Sequence, residues 1–208
     1  MKRTGKRTDK HPGKRGELIQ VGSEIIALQG FNAASLNDIL STAGVPKGSF
    51  YYYFSSKEAF GLAIVDESGA QYLDQLQRML NDTQYAPSRR LLNYFKAGIA
   101  NMKDCHYAEG CLLGNLAQEL AAQNEVFRDR LSKIFSQWEQ CFAQCLQAAY
   151  LAGEISDNSC IPALAKFILS GWEGAILQAK VAQSTEPMEN FVGVLFQHVL
   201  KISTPSQI

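Results

Sequence analysis

Two stretches carry side chains whose types and spacing suit chemistry. The first is PKGSFYYYFSSKEAF, residues 46–60, which sets three tyrosines between two phenylalanines with a lysine towards each end. Wound as a helix at about 100° per residue, it stacks Phe50 nearly above Phe54 with Tyr53 beside them, so these rings can anchor it to a core. Tyr51 and Tyr52 then point to the opposite side, where a purely structural helix carries charge. Lys47, Gly48 and Ser49 form the first turn, where free backbone N–H groups and the positive dipole end favour phosphate. Gly48 lets the backbone approach a base edge closely, the tyrosine hydroxyls can donate to phosphate oxygens, and Lys57 adds a charge. The partner this pattern implies is double-stranded DNA.

The second stretch centres on Cys111, which follows Gly110 and a loop containing His106 at the expected start of a helix. A thiol at a helix N-terminus near an imidazole has reasons for a lowered pKa and a populated thiolate. Such a sulfur adds to activated alkenes or is oxidised to sulfenic acid. The competing reading is a small buried hydrophobe, since free cysteine is among the most buried residue types. Glu173 and Lys180 stand seven residues apart on one helix face. They form either a solvated or dimer-interface edge, or a site near Cys111 where the ammonium stabilises a thiolate or holds a ligand carboxylate. Trp172, on a neighbouring face, reads as core before pocket, while Trp138, Tyr94 and Asn115 are candidate pocket walls. Cys141 and Cys145 share a face at i, i+4 but lack further ligands, so they read as packing residues, and neither a metal nor a cofactor is expected. A Cys111 nucleophile with His106 as base would make an enzyme, but a five-residue spacing across a loop does not establish contact. No phosphate-binding glycine loop, His/Glu metal motif or Gly-x-Ser-x-Gly elbow accompanies the pair.

The elements that must hold these residues read as helix after helix, with no period-2 strand run and no fixed-period repeat. Leu18, Val21, Gly22, Ile25 and Leu28 recur at helical spacing, Gly30 stops that helix, and Phe31 can fold back onto its last turn. Ser35 with Asp38 resembles a capping box for a helix presenting Leu36, Ile39 and Leu40, which runs out at Gly44. Val45-Pro46 restarts a helix. Three short helices with a tight glycine-containing turn make a helix-turn-helix candidate. Beyond it, Ser55 and Glu58 form an expected capping box for a long helix through Leu80. Pro87 opens another, to about Cys105. Segments 111–122 and 124–152, a helix from Pro162, and one from Thr185 and Pro187 to about Lys201 complete the chain. Gly171, Gly174, Ala175 and Ala179 keep one helix thin for close contact.

Composition agrees with a folded globular chain: 208 residues, 46% hydrophobic, 19% charged and formally neutral. The charge is unevenly spread. Residues 1–60 carry 9 Lys+Arg and 5 Asp+Glu, a net of +4, and the remainder carries 11 and 15, a net of −4. The first fifteen residues hold seven basic groups and one acid, and read as a flexible basic arm that follows a phosphate backbone. No apolar signal region or run of about 18 apolar residues is present, so neither secretion nor membrane insertion is expected. Five cysteines without a signal peptide point to free thiols in a reducing cytoplasm.

Residues 18–60, with GFNAASLNDILSTAGVPKGSFYYYFSSKEAF, closely resemble the DNA-binding domain of TetR-family transcriptional repressors. The resemblance implies an all-α homodimer: three N-terminal helices that read the major groove, and about six more that bind ligand and dimerise. It assigns operator contacts to Ser35, Lys47, Gly48, Ser49, Tyr51, Tyr52, Tyr53 and Lys57. It divides the chain into a basic arm (1–15), a helix-turn-helix domain (16–61) and a ligand-binding and dimerisation domain (62–208). A two-fold dimer sets its recognition helices about one DNA turn, ~34 Å, apart on a palindrome. EGCLLGNLAQEL and GWEGAILQAK are similar to the NemR- and AcuR-like branch, which answers reactive electrophiles and small unsaturated acids such as acrylate. The implied function is a repressor released from its operator by a small-molecule inducer sensed at Cys111, or by one bound without covalent chemistry.

Overall fold

A glycine with an unusual backbone angle sets the first change of direction. In the computed structural model, which describes residues 13–156 and 160–202, helix α1 (Lys14–Gln29) ends at Gly30, whose φ of 84° lies where side chains are strained. The basic arm lies outside the described residues except for its last three. Helix α2 (Leu36–Thr42) starts after Ser35, whose hydroxyl accepts the Asp38 N–H at 3.4 Å. Pro46 precedes α3 (Lys47–Tyr53), and Ser56 caps α4 (Lys57–Leu80) by accepting the Ala59 N–H at 3.0 Å. The expected Ser55–Glu58 box is therefore displaced by one residue. Glu58 sits one position too early to reach back to the cap, and instead accepts from the Asn124 amide at 2.7 Å. The division expected at residue 61 falls inside α4, which is continuous through both parts of the chain.

Five further helices follow: α5 (Pro87–Asp104), α6 (Leu112–Leu120), α7 (Glu125–Leu151), α8 (Ile161–Ala182) and α9 (Glu186–Val194). The last continues into a π-helical turn, Leu195–Val199. The fold is all-α, with no strand among the described residues. Helix α4 packs on α1, α5 and α7, α7 packs on α8, and α8 on α9.

In the N-terminal three helices the core is aromatic. Phe50, Phe54 and Phe60 are all buried, with ring centroids 5.4 Å (50–54), 5.4 Å (50–60) and 4.9 Å (54–60) apart. Helix α1 meets this cluster with Leu18, Gly22 and Ile26, and Gly22 lies directly against the Phe60 ring. Ile25 is only half-buried and Leu28 is exposed, so the buried row is rotated from the one expected. Consecutive isoleucines at 25 and 26 left the phase of that row open to either choice. Phe31, expected against the last turn of α1, is buried beside Gly61 of α4. It crosses to α7, 5.4 Å from the Phe127 ring.

A second aromatic cluster holds the body. Phe95 stands 4.8 Å from Trp172 and 5.8 Å from Phe191. Gly171 lies under the Phe191 ring, and Ala175 and Ala179 are buried, so these three allow close packing within the chain. Gly174 differs: a Cβ there meets nothing within 4 Å.

Candidate functional site

Helix α3 presents one anchored side and one free side. Phe50 is fully buried, while Tyr51 is 51% and Tyr52 84% exposed, and Lys47, Gly48 and Ser49 are exposed with them. These five positions form a continuous polar and aromatic surface. The other three predicted contacts are engaged internally. Tyr53 is half-buried, its ring 5.1 Å from Tyr52 and 6.5 Å from Phe54. Ser35 caps α2. Lys57 donates to the Asn32 and Ala34 carbonyls at 3.3 and 2.7 Å, with its ammonium 4.9 Å from the Phe31 ring centroid.

The turn that Lys57 braces is also gripped from the body. The Glu119 carboxylate, near the end of α6, accepts the Phe31 N–H at Oε2 and the Asn32 N–H at Oε1, each at 2.7 Å. An anion on the amides and a cation on the carbonyls thus fasten the α1–α2 turn from two sides. Asp66 of α4 and Arg130 of α7 add an ion pair of 2.6 Å. Sequence reasoning missed Glu119. Its partners lie 87 and 88 residues away, and no local spacing signals them.

At the other end of α6 lies a cavity of about 660 Å³ bounded by α1, α4, α5, α7, α8 and the loop before α6. It brings together five of the expected residues: Tyr94, Cys111, Trp138, Trp172 and Glu173. Asn115 and Lys180 are not on its wall. The Asn115 amide and the Lys180 ammonium both donate to the Glu109 carbonyl, at 2.8 and 3.3 Å. They brace the loop that closes the cavity, so Lys180 is not placed to hold a ligand carboxylate inside it. Tyr72 of α4, unforeseen from the sequence, completes the aromatic wall with its ring 5.6 Å from Trp138.

Cys111 is the N-cap of α6, and its sulfur accepts the Gly114 N–H at 3.3 Å. The expectation of a lowered thiol pKa is overturned: burial, and then the neighbouring Glu173 carboxylate, push it well above the ordinary thiol value. The capping N–H groups oppose this shift but do not cancel it. His106 is exposed in a turn with φ of 51° and is not among the groups that move the thiol. Glu173 is itself pushed up to about 7 by burial, with the Cys111 side chain pulling the other way. Burial, then Cys111 and Glu173, also raise the Tyr72 and Tyr94 phenols. Cys141 and Cys145 are buried, the latter donating to the Pro87 carbonyl at 3.4 Å. No cluster of three potential metal ligands occurs among the described residues, and no described helix is long and apolar enough to cross a membrane.

A third surface runs along α8. Phe167, Gly174 and Val181 recur every seven residues, with Phe167 48% and Val181 81% exposed and Leu177 beside them 44% exposed. On α9, Val194 is exposed, and a Cβ at Gly193 meets nothing within 4 Å.

A family model described as bacterial regulatory proteins, tetR family, matches residues 18–64, and one described as tetracyclin repressor-like, C-terminal domain, matches residues 87–195. The HTH-type transcriptional repressor DhaR of Mycobacterium sp. is 36% identical over 89% of this chain and 92% of its own. The transcriptional regulator AcuR of Cereibacter sphaeroides is 35% identical over 87% of this chain and 83% of its own. The crystal structure of the reduced form of E. coli NemR matches with a TM-score of 0.82 at 30% identity, covering 93% of this chain and all of that one.

Proposed function

The chain belongs to the TetR family of bacterial regulators, in its NemR- and AcuR-like branch, and is a regulator rather than an enzyme. From that membership we propose that it is a homodimeric repressor that holds a palindromic operator through α3 until a small molecule enters the cavity lined by Cys111. The observation that carries the DNA-reading half is the contrast within one short helix, Phe50 locked in the core and Tyr52 84% exposed two residues later. Exposed Lys47, Gly48, Ser49 and Tyr51 complete the contact surface. Ser35, Tyr53 and Lys57 support it, holding the caps and the turn on which α3 rests.

Dimerisation is supported by the seven-residue apolar row on α8 and by Gly174 and Gly193, whose open faces give a second copy room to approach. The residues 1–15 would add phosphate contacts and steepen the salt dependence of binding.

For the sensing half, reversible occupation of the cavity is the better reading, because burial and Glu173 keep Cys111 as a neutral thiol. A covalent reading is favoured by one observation: Cys111 both lines the cavity and caps α6. Its sulfur would bond the β-carbon of an activated alkene while the thiol proton passes to the α-carbon. The decisive experiment titrates duplexes from the regions flanking the gene, with Tyr52→Ala as control. A specific fragment bound by the wild type and lost in Tyr52→Ala is expected, and indifference to all fragments sinks the reading. For sensing, an electrophile that releases DNA equally from wild type and Cys111→Ser is acting reversibly.

A further inference from the structure

The cavity's lining charges are all of one sign. Glu24, Asp104, Glu109 and Glu173 line it, and among the described residues no Lys, Arg or His does. Glu24, Asp104 and Glu109 are exposed, as at a mouth, whereas the Glu173 side chain turns inward against Gly114 and Cys111. Lys180, behind the loop that closes the cavity, donates its ammonium to the Glu109 carbonyl. The inner wall is aromatic, with Tyr72 beside Trp138 and Tyr94 beside Trp172, ring centroids 5.6 and 6.4 Å apart. A negatively charged guest would meet carboxylates at the mouth and again inside. A cation meets the reverse: an acidic entrance, an aromatic wall, and one inner carboxyl that forms no ion pair among the described residues.

We propose that the cavity selects an organic monocation bearing an aromatic or aliphatic body, and that Glu173 is the residue that makes the selection. This rests on the reading of the cavity as the effector site and narrows its ligand class. An unsaturated acid is the guest it disfavours. The volume of about 660 Å³ suits a drug-sized molecule.

Protonation of Glu173 sets the pH dependence. Its carboxyl is pushed up to about 7, so it is mostly neutral at pH 6 and mostly ionised at pH 8. The titratable groups that act with it are Cys111, Tyr72 and Tyr94, all held neutral across this range by burial. Glu109, Asp104 and Glu24 at the mouth and Lys180 behind the loop complete the charged surroundings.

The test uses three probes that share a phenoxyethyl group, the cationic and neutral ones with heads of equal shape and the third with an anionic head. They are 2-phenoxyethyl-trimethylammonium, its neutral carbon isostere 3,3-dimethylbutyl phenyl ether, and 3-phenoxypropanoate. Calorimetric titration of the full-length protein should give the ammonium probe at least tenfold tighter binding than the neutral one at pH 8, with no binding of the carboxylate. Lowering the pH to 6 should weaken the ammonium probe by up to about tenfold, as Glu173 takes up its proton, and leave the neutral probe unmoved. In Glu173→Gln the ratio of ammonium to neutral affinity should fall towards one. If that variant does not fold, the wild-type pH series alone decides. Equal binding of the neutral and cationic probes, preference for the carboxylate, a flat pH series for the ammonium, or no binding of any probe overturns the assignment. The effector reading fails separately: a cation that binds as described but leaves DNA bound defeats the effector role and spares the ligand class. Release of DNA by acids alone does the opposite.

Discussion

Glu119→Gln tests whether the cavity and the DNA-reading surface communicate through α6. In the wild type, two backbone N–H groups, from Phe31 and Asn32, each reach a Glu119 oxygen at 2.7 Å. A hydrogen bond to a charged acceptor contributes about 1.5–3 kcal/mol, and the exposed Asn32 amide falls at or below the low end because water replaces its partner. The pair therefore contributes about 2–3 kcal/mol. Glutamine keeps one acceptor oxygen and no charge, so about half of that should be lost, and alanine should lose all of it. Urea unfolding read by circular dichroism measures this loss directly. The functional readout is fluorescence anisotropy of operator DNA, with and without the inducing ligand. Typical allosteric coupling of about 1–3 kcal/mol corresponds to roughly 5- to 150-fold release. With the latch weakened, release should fall below about threefold while ligand affinity at the cavity is unchanged, which would mark the loss as one of coupling. A Glu119→Gln protein that loses the stability but releases DNA as well as the wild type would refute the reasoning, leaving Glu119 as a structural clamp only.

Other substitutions separate reading, packing, capping and assembly. Tyr52→Ala should reduce operator affinity at least tenfold with unfolding free energy within about 0.5 kcal/mol of wild type, because surface substitutions away from special features change stability little. Phe50→Ala, by contrast, should lose about 3–5 kcal/mol on urea titration, since it empties the centre of an aromatic cluster. Cys111→Ala should destabilise by about 0.5–2 kcal/mol through loss of the α6 cap while Cys111→Ser retains it, a difference readable in thermal melts. Glu173 has a folded pKa of about 7, above its ordinary value of 4.5. The folded state therefore binds the extra proton, and stability should decline as pH rises from about 4.5 to 7 and then level off. The decline amounts to at most about 3 kcal/mol and should be absent in Glu173→Gln. Val181→Glu on the exposed row of α8 should convert a dimer to a monomer in analytical ultracentrifugation and weaken operator binding with it.

The helices and the exposed face of α3 were legible because their signals are local. Pro46, Gly30 and the Phe50–Phe54 pair each act within one or two turns of chain, so spacing alone places them. Errors arose where two neighbouring choices were chemically equal, as with Ile25 against Ile26 and Ser55 against Ser56. The cavity was legible only as a set of residues. Tyr94, Cys111, Trp138, Trp172 and Glu173 do meet, but the electrostatics ran against expectation, because the partner of Cys111 is a carboxylate 62 positions away on α8 rather than the imidazole in the adjacent loop. Lys180, on the same helix as Glu173, turns instead to the loop backbone. Which end of a helix face meets a cavity depends on how α6 and α8 cross, and periodicity does not report crossing.

Helix α6 has a dimensional consequence. Its cap at Cys111 and its clamp at Glu119 are eight residues apart, about 12 Å along the axis and a little over two turns. One inserted residue would swing the carboxylate by about 100° and carry it off the α1–α2 turn, whatever its identity. The segment should thus tolerate exchange of the exposed Gln118 side chain far better than any change of length. A protein redesigned for a new ligand could rebuild the wall around Tyr72, whose ring is partly exposed, provided Cys111 and Glu119 stay eight positions apart.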